Sequence, residues 1–382
     1  MKLSDFDYQL PENLIAQFPA RRRSDSRMLV VHRKQGRLED STFRRLPEYL
    51  RAGDLLALNN SRVVPARLYG RRTGVTAQPI GKRHPKRKEY LSSEIEALLI
   101  RPLDDGAWEA LVRPGRKVRT GERLIFEGGT GSRGAAKGKK PVRLEAEVIS
   151  RGEFGLRTLR FDDAGSLTDN LDRIGHVPLP PYIHRPSTSS PSDEKRDRLR
   201  YQTVYAQAPG SVAAPTAGLH FTKPMLALLH EKGVERAEIT LHVSLGTFQP
   251  IHVQLDHEME HHRLHPETFS VSPQAAAQLN QAMEDGRRII AVGTTTVRTL
   301  EHLAMQHDGR IAPASGETEL FIRPGFPFRV VGGMLTNFHL PRTTLLMLAA
   351  AFAGQELILA AYKHAVHEQY RFYSYGDCML IL

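Results

Sequence analysis

Three short stretches of this chain place small residues, hydroxyls, histidine and arginine at spacings that chemistry can use. In "GSVAAPTAGLHFT", residues 210–222, a run of Gly, Ser, Ala and Pro leads through Thr216, Ala217 and Gly218 to His220. Small side chains let a backbone come close to a bound molecule, and the histidine supplies a polar edge. The competing reading is a tight packing turn. In "AVGTTTVRTLE", residues 291–301, an apolar run ends at Gly293 and continues through Thr294, Thr295 and Thr296 toward Arg298 and Glu301. Hydroxyls and free backbone N–H groups at a helix N-terminus can hold a carboxylate, a phosphate or a ribose, although a lone threonine there is usually only a cap. In "LTNFHLPRTTLL", residues 335–346, Asn337, His339 and Arg342 surround Pro341 just before another apolar run. Each stretch has a structural alternative, but three of one grammar in one chain point to a shared pocket at the ends of strands.

One further motif carries metal chemistry in other settings. "HEMEH", residues 257–261, fits the HExxH zinc pattern, with His257 and His261 on one helical face and Glu258 as base. The extended pattern fails, because Leu264 stands where its glycine belongs and Glu267 where a third histidine belongs, and Pro266 interrupts any helix. No metal is expected. The single cysteine, Cys378, excludes internal disulfides and thiolate-rich zinc sites and fits a reducing compartment.

The elements that must position these stretches follow from periodicity. "SPQAAAQLNQAMEDG" (272–286) opens with Pro273 in a first turn and reads as a helix, "RRIIAVG" (287–293) as a buried strand, and "TTTVRTLEHLAMQ" (294–306) as a second helix. "KPMLALLHEKG" is a helix after the first stretch, which makes that stretch a strand-to-helix loop. "FRVVGGMLTNF" reads as strand and loop, two helices lie within 343–370, and "CMLIL" is a last strand. Strands alternating with helices predict a layered α/β domain. Earlier in the chain "EIEALLI" (94–100), "WEALVR" (108–113), "ERLIFEG" (122–128), "RLEAEVIS" (143–150) and "GLRTLRF" (155–161) are short alternating runs broken by turn residues. They predict a small antiparallel barrel or sandwich at about 63–160.

Size and charge complete the frame. With 382 residues, 40% of them hydrophobic, two domains or one domain with an insertion are expected. The longest apolar stretch, "LLMLAAAFAG", is about half of the ~20 residues that a membrane span needs, so a soluble, cytoplasmic protein is expected, without a membrane partner. The net charge of +11 points to a polyanionic partner such as nucleic acid, against the alternative of a solvated basic surface. "GKRHPKRK" (81–88) and "GSRGAAKGKKPVR" (131–143) concentrate that charge among Gly, Pro and Ser and read as loops.

The chain resembles the S-adenosylmethionine:tRNA ribosyltransferase-isomerases of queuosine biosynthesis, the QueA family, nearly end to end. The words that carry the likeness include "DFDYQLPENLIAQFPA" (5–20), "LNNSRVVPARLYGRR" (58–72), "GHVPLPPYI" (175–183), "RYQTVYA" (200–206), "PTAGLHFT" (215–222) and "LHVSLGTFQPI" (241–251). They continue with "AVGTTTVRTLE", "TNFHLPRTTLLMLAAAFAG" (336–354) and "RFYSYGDCMLI" (371–381), and "HRLHPE" resembles a family word better than "HEMEH" resembles a zinc site. The resemblance implies an α/β catalytic domain, here 1–62 and 161–382, interrupted by a smaller antiparallel β-barrel domain, here 63–160. It implies transfer of the ribosyl part of S-adenosylmethionine onto 7-aminomethyl-7-deazaguanine at the tRNA wobble position and rearrangement to epoxyqueuosine, with release of adenine and methionine. S-adenosylmethionine is then a consumed cosubstrate, no other cofactor is expected, and the protein is expected to act as a monomer. The sulfonium makes adjacent ribose C–H bonds acidic, so a general base is needed, and histidine is the obvious proton carrier.

Carried onto this sequence, the resemblance implies His220 and His339 as catalytic residues. Arg298 or Arg342 would clamp the methionine carboxylate, Thr294, Thr295 and Thr296 would line the donor site, and Glu301 would stand behind them. Asn60, Arg62, Arg200, Tyr201, Gln202, Thr216, Ala217, Gly218, Thr247 and Asn337 stand in shared words and are further substrate-binding candidates. Lys82, Arg83, Lys86, Arg87 and Lys88 are candidates for tRNA contact, because the loops at about 73–92 and 128–141 look longer than the family pattern; the alternative is a solubilising loop. Ser244 replaces the first glycine of "LHVGLGTF", which puts close backbone approach there in doubt, and Asn59, Asn60, Ser61 and Arg62 replace "NDTR". A binding module without catalysis would not need the three stretches. A methyltransferase would show an early glycine-rich loop that is absent here.

Overall fold

The computed structural model describes residues 2–73, 94–103, 105–128, 142–163, 165, 167–185, 190–243, 264 and 266–382. Lys82, Arg83, Lys86, Arg87 and Lys88, together with Ser244, Thr247 and "HEMEH", lie outside the described residues. The chain divides into two compact units, the larger of 1–62, 180–184 and 200–382 and the smaller of 63–179 and 185–199.

The larger unit is built on a nine-stranded mixed sheet among the described residues. Its order is β15 (Ala314–Thr318), β13 (Glu267–Val271), β12 (Glu235–Leu241), β3 (Leu55–Asn59), β14 (Ile289–Val292), β16 (Gly333–Asn337), β17 (Cys378–Ile381), β1 (Arg27–His32) and β2 (Arg37–Thr42). The four central strands β12, β3, β14 and β16 run parallel, so their carboxyl ends share one edge. Alternation along each strand divides the core into two layers. Leu55, Ala57, Ile289, Ala291, Met379 and Ile381 join one cluster; Leu56, Leu58, Ile290, Val292, Cys378 and Leu380 join the other. The first layer is closed by α5 (Pro273–Glu284), α6 (Thr294–Gln306), α7 (Thr344–Ala353) and α8 (Gln355–His367), the second by α4 (Lys223–Glu231) and the short α1 (Leu46–Tyr49). Ser272, Thr222 and Thr343 cap α5, α4 and α7 by accepting from the third backbone N–H beyond them. This is the layered α/β fold that the sequence predicts. No single helix among the described residues is long and apolar enough to cross a membrane, and the apolar pair α7 and α8 bends by 117°.

The smaller unit is a closed six-stranded antiparallel barrel of β10 (Leu156–Phe161), β7 (Ala107–Arg113), β6 (Ile95–Pro102), β5 (Arg67–Arg72), β8 (Arg123–Gly128) and β9 (Val142–Arg151), with β9 closing on β10. The five expected runs all appear, and β5 is a sixth. The unit extends beyond residue 160 because α2 (Leu167–Ile174) packs on β8 and β9 and α3 (Pro191–Arg200) groups with it up to residue 199. β4 (Ser61–Val63) and β11 (Ala208–Ser211) form a short separate pair. The stretch before α4 leaves β11 and forms a 3-10 turn over Thr216–His220, so it runs from strand to helix as expected.

Candidate functional site

A cavity of about 280 Å³ opens where the parallel strands end. Three chain segments meet there because each follows such an end or packs on one. After β14, Gly293 turns the chain into α6 with φ +96°, a left-handed conformation that glycine adopts without strain. The turn presents Thr294 and Thr295 to the cavity. After β16 come Phe338 to Leu345, and the third wall is Ala214 to Ala217. That third wall is held close by Gly218, where a Cβ would lie 2.1 Å from the Tyr205 hydroxyl. The three stretches singled out in the sequence therefore converge on one pocket. Its volume lies just below the roughly 300 Å³ where small-molecule sites begin.

The two histidines take different places. His339 lines the cavity, with Nε2 2.9 Å from Thr336 Oγ1. The Thr336 hydroxyl has one proton, and its other neighbour, the Asn337 carbonyl at 3.4 Å, can only accept it. With that proton so directed, His339 donates from Nε2 and carries its lone pair on Nδ1. Its backbone is fixed from both sides, since its N–H donates to the Tyr362 hydroxyl at 2.9 Å and its carbonyl accepts from the Tyr8 hydroxyl. Burial lowers its pKa to about 3. His220 stands behind Asn337 and is not part of the cavity wall. The Asn337 amide nitrogen lies 3.0 Å from Tyr373 O, 3.3 Å from Asp377 O and 3.3 Å from His220 Nε2, an environment of acceptors that only the NH₂ end fits. His220 thus keeps its proton on Nδ1 and gives it to Ser26 Oγ at 2.9 Å. Burial, with the positive charge of Arg371 and Arg23, lowers it to about 3 as well.

The remaining candidates separate by how their polar groups are used. Thr216, Ala217, Thr294, Thr295, Asn337 and Arg342 line the cavity. Arg342 does so at φ +59°, its guanidinium 2.6 Å from Asp7. Arg298 does not reach it. Its guanidinium is 2.6 Å from Glu267 in a fully buried pair and also donates to Leu320 O, which leaves no carboxylate clamp at this position. Glu301 is likewise spent, accepting from the backbone N–H groups of Arg329, Val330 and Val331. Thr296 gives its hydroxyl proton to Val292 O at the end of β14. Asn60 binds Thr240 and Glu238, Arg200 donates to Ala20 O and Arg21 O, and Arg62 is exposed. Tyr201, Gln202 and Gly218 are also outside the lining. The described residues hold no cluster of three metal-ligating side chains.

The sequence model of the family described as "Queuosine biosynthesis protein" matches residues 3–381. The chain belongs to that family. It is 54% identical over 384 residues to the S-adenosylmethionine:tRNA ribosyltransferase-isomerase of Solibacter usitatus and 46% identical over 382 residues to that of Symbiobacterium thermophilum, with 100% of each chain covered in both cases. It is also similar to the crystal structure of the S-adenosylmethionine tRNA ribosyltransferase of Thermotoga maritima, at 38% identity and a TM-score of 0.52, covering 99% of this chain and 100% of that one.

In this member of the queuosine biosynthesis family, part of the cavity wall comes from residues to which the sequence assigned no role. Tyr182 and Tyr373 pack with 4.0 Å between ring centroids and their planes tilted by 43°, and Tyr182 shares a 2.6 Å hydrogen bond with Ser374. Leu3 also lines the cavity. Both tyrosines fall in words shared with the family, "GHVPLPPYI" and "RFYSYGDCMLI", but an aromatic without a titratable neighbour gives no chemical signal. Asp377 accepts from the Arg27 and Arg371 backbone N–H groups and so fixes the loop that carries Tyr373. Ser26 was equally invisible, 194 positions from the histidine that it holds.

Proposed function

We propose that this protein is a cytoplasmic, monomeric S-adenosylmethionine:tRNA ribosyltransferase-isomerase. It transfers and rearranges the ribosyl group of the donor onto a 7-aminomethyl-7-deazaguanine wobble base and releases adenine and methionine. The observation that carries the reading is 54% identity over the full length of a relative with that name. The cavity supports it in chemical terms. Thr294 and Thr295 offer hydroxyls at a helix start for a ribose or carboxylate, and Arg342 offers a guanidinium at the same wall. Ala214, Pro215 and Ala217 give a floor on which a flat ring can lie.

His339 is the proton carrier in this proposal. A site that holds its pKa near 3 keeps the imidazole neutral at working pH, which is the form that accepts a proton. Nδ1 takes the proton from the ribose carbon bonded to sulfur; the electron pair left there, in the resulting ylide, forms a double bond to the neighbouring ring carbon as that carbon's ring C–O bond breaks, the released oxygen forms a carbonyl at the anomeric carbon as the bond to adenine breaks, and the imidazolium, strongly acidic in this setting, gives the proton to the departing adenine nitrogen. Thr336 and the two tyrosines on the His339 backbone keep the ring in place. His220 acts at one remove, holding the Asn337 amide.

The decisive experiment incubates the protein with donor deuterated at that ribose carbon and with tRNA bearing the aminomethyl base. Adenine and methionine should appear in equal amounts, and deuterium should be lost. His339→Ala should lower kcat by roughly 10²–10⁴-fold while tRNA still binds, and His220→Ala should have the smaller effect. S-adenosylhomocysteine as product would make the protein a methyltransferase. Full retention of deuterium would exclude the ylide route, and an unaffected His339→Ala enzyme would remove the assigned base.

A further inference from the structure

We propose that the start of α6 is the carboxylate pocket of the donor site, where the backbone N–H groups and hydroxyls of Thr294 and Thr295 hold the methionine carboxylate of S-adenosylmethionine. The proposal rests on the donor reading above and decides between ribose and carboxylate at this wall.

The helix begins without a cap of its own. Gly293 occupies the position before α6, and no side chain accepts from the first turn, whereas Ser272, Thr222 and Thr343 fill that role at α5, α4 and α7. The first backbone N–H groups of any helix have no acceptor within it. At α6 the Gly293 N–H donates to Leu335 O and the Val297 N–H to Gly293 O, and the three N–H groups between them have no acceptor among the described residues. Two of those three, on Thr294 and Thr295, belong to the cavity lining. Buried N–H groups are nearly always paired, so these point to a partner that the fold does not supply.

The hydroxyls are a second, separate sign. Thr296 gives its proton to Val292 O at 2.8 Å and Thr299 gives its own to Thr295 O at 3.1 Å, the ordinary outlet for a threonine inside a helix. Thr294 and Thr295 are each only 6% exposed, yet neither hydroxyl has a partner among the described residues. A Cβ on Gly293 would stand 3.7 Å from Thr295 Oγ1 and 3.9 Å from the Ala217 Cβ of another cavity wall. Glycine keeps that gap clear, and the Thr295 hydroxyl borders it.

Two N–H groups and two hydroxyls can all donate to one anion. A carboxylate only accepts, so it uses every one of them and gains from the positive end of the helix dipole. A ribose hydroxyl brings one oxygen and a proton of its own, and uses fewer. Among the described residues the lining holds no carboxylate to repel an anion, and its one permanently cationic side chain, Arg342, is exposed and already 2.6 Å from Asp7. The methionine carboxylate is the only anionic group of the donor.

The test follows adenine release by the full-length protein on tRNA carrying the aminomethyl base, for wild type and Thr294→Val/Thr295→Val, with decarboxylated S-adenosylmethionine as competitor. Valine keeps the branched shape and the helix preference of threonine and removes the hydroxyl. In the variant the KM for S-adenosylmethionine should rise roughly tenfold to a hundredfold with kcat kept, because the carboxylate is bound alike before and during the reaction. The inhibition constant of the decarboxylated donor should stay at its wild-type value. Tm should hold, since the lost hydroxyls bind nothing in the protein. An equal loss for both compounds puts the ribose at α6 and overturns the proposal. A raised KM for tRNA with an unchanged KM for the donor puts a phosphate there and overturns it too, as does a loss confined to kcat or a variant that matches wild type throughout. In each of these cases the enzyme reading stands. A wild-type protein that releases no adenine overturns that reading itself, and the carboxylate pocket with it.

Discussion

The barrel and the cavity both bury polar side chains, and they treat them in opposite ways. In the barrel, Arg157 is 2% exposed and spends its guanidinium on backbone: Nε donates to Val118 O at 3.0 Å, Nη1 to Leu156 O at 2.6 Å, and Nη2 to Gly115 O. At the cavity, Asn337 is 3% exposed yet its Oδ1 has no hydrogen-bond partner. A buried polar atom left unpaired costs stability that a folded protein ordinarily avoids. The comparison separates two uses of polarity: groups whose capacity is filled hold the fold, and groups with capacity to spare at a cavity are free to meet a ligand. The same rule sorts the α/β unit internally. Arg298 and Glu301 fall with Arg157, whereas His339, Asn337 and Thr295 fall on the other side.

The largest effect should come from breaking a filled group. Arg298→Met takes the guanidinium away from the buried Glu267 carboxyl group, which should cost about 3–5 kcal/mol in denaturant unfolding. Replacing both partners, Arg298→Met with Glu267→Leu, should recover much of that loss, and the turnover of the folded fraction should match wild type. A large rise in the donor KM without loss of stability would put Arg298 back among the groups that meet the ligand.

Next in size is the pH response of the two histidines. Both are held near 3 in the fold and near ~6.5 when unfolded, so the unfolded chain binds more protons between those values. The stability tied to their neutral forms is complete above about pH 6.5 and is lost as pH falls toward 3, by up to about 1.4 kcal/mol per pH unit for each histidine. Unfolding curves from pH 7 to pH 4 should show a shallower decline in His339→Gln than in wild type. Identical slopes would mean that this ring is not kept neutral by the fold.

The smallest change in stability is expected at the cavity mouth. Arg342→Gly relieves a left-handed backbone and gives up an exposed ion pair with Asp7, two terms each of about 1 kcal/mol that oppose each other. Thermal unfolding should hardly move. Donor affinity should nonetheless fall by roughly tenfold or more, the scale of a charged hydrogen bond. If affinity is also unchanged, Arg342 belongs with the filled groups.

Much of this organisation is legible in the sequence. The helix expected at 294–306 is Thr294–Gln306, and the barrel strands begin and end within two residues of their alternating runs. Periodicity is a local signal, and these elements are long enough to show it. The strands "RMLVVH" and "LLALN", β1 and β3, are buried at nearly every position and too short to declare a period. At the site, sequence identified the three converging stretches but could not rank the residues within them. Arg298 follows Thr294 by one turn, which carries it about 6 Å along the helix from the strand ends and beside Glu267 instead of the cavity. His220 and Asn337, 117 positions apart, gave no hint that one would stand behind the other.

The opening residues of the chain also give the cavity a history. Leu3 lines it, Phe6 O accepts from the Arg342 N–H, and Tyr8 binds the carbonyl of His339 across 331 positions. During synthesis Tyr8 leaves the ribosome 331 positions ahead of His339 and must wait for that length of chain before its partner exists. Closing so long a loop adds little to the equilibrium cost, since that grows only with the logarithm of length, but distant contacts slow the search. A nascent chain can therefore complete its barrel while the cavity still lacks a wall, which closes only once the residues around His339 have been made.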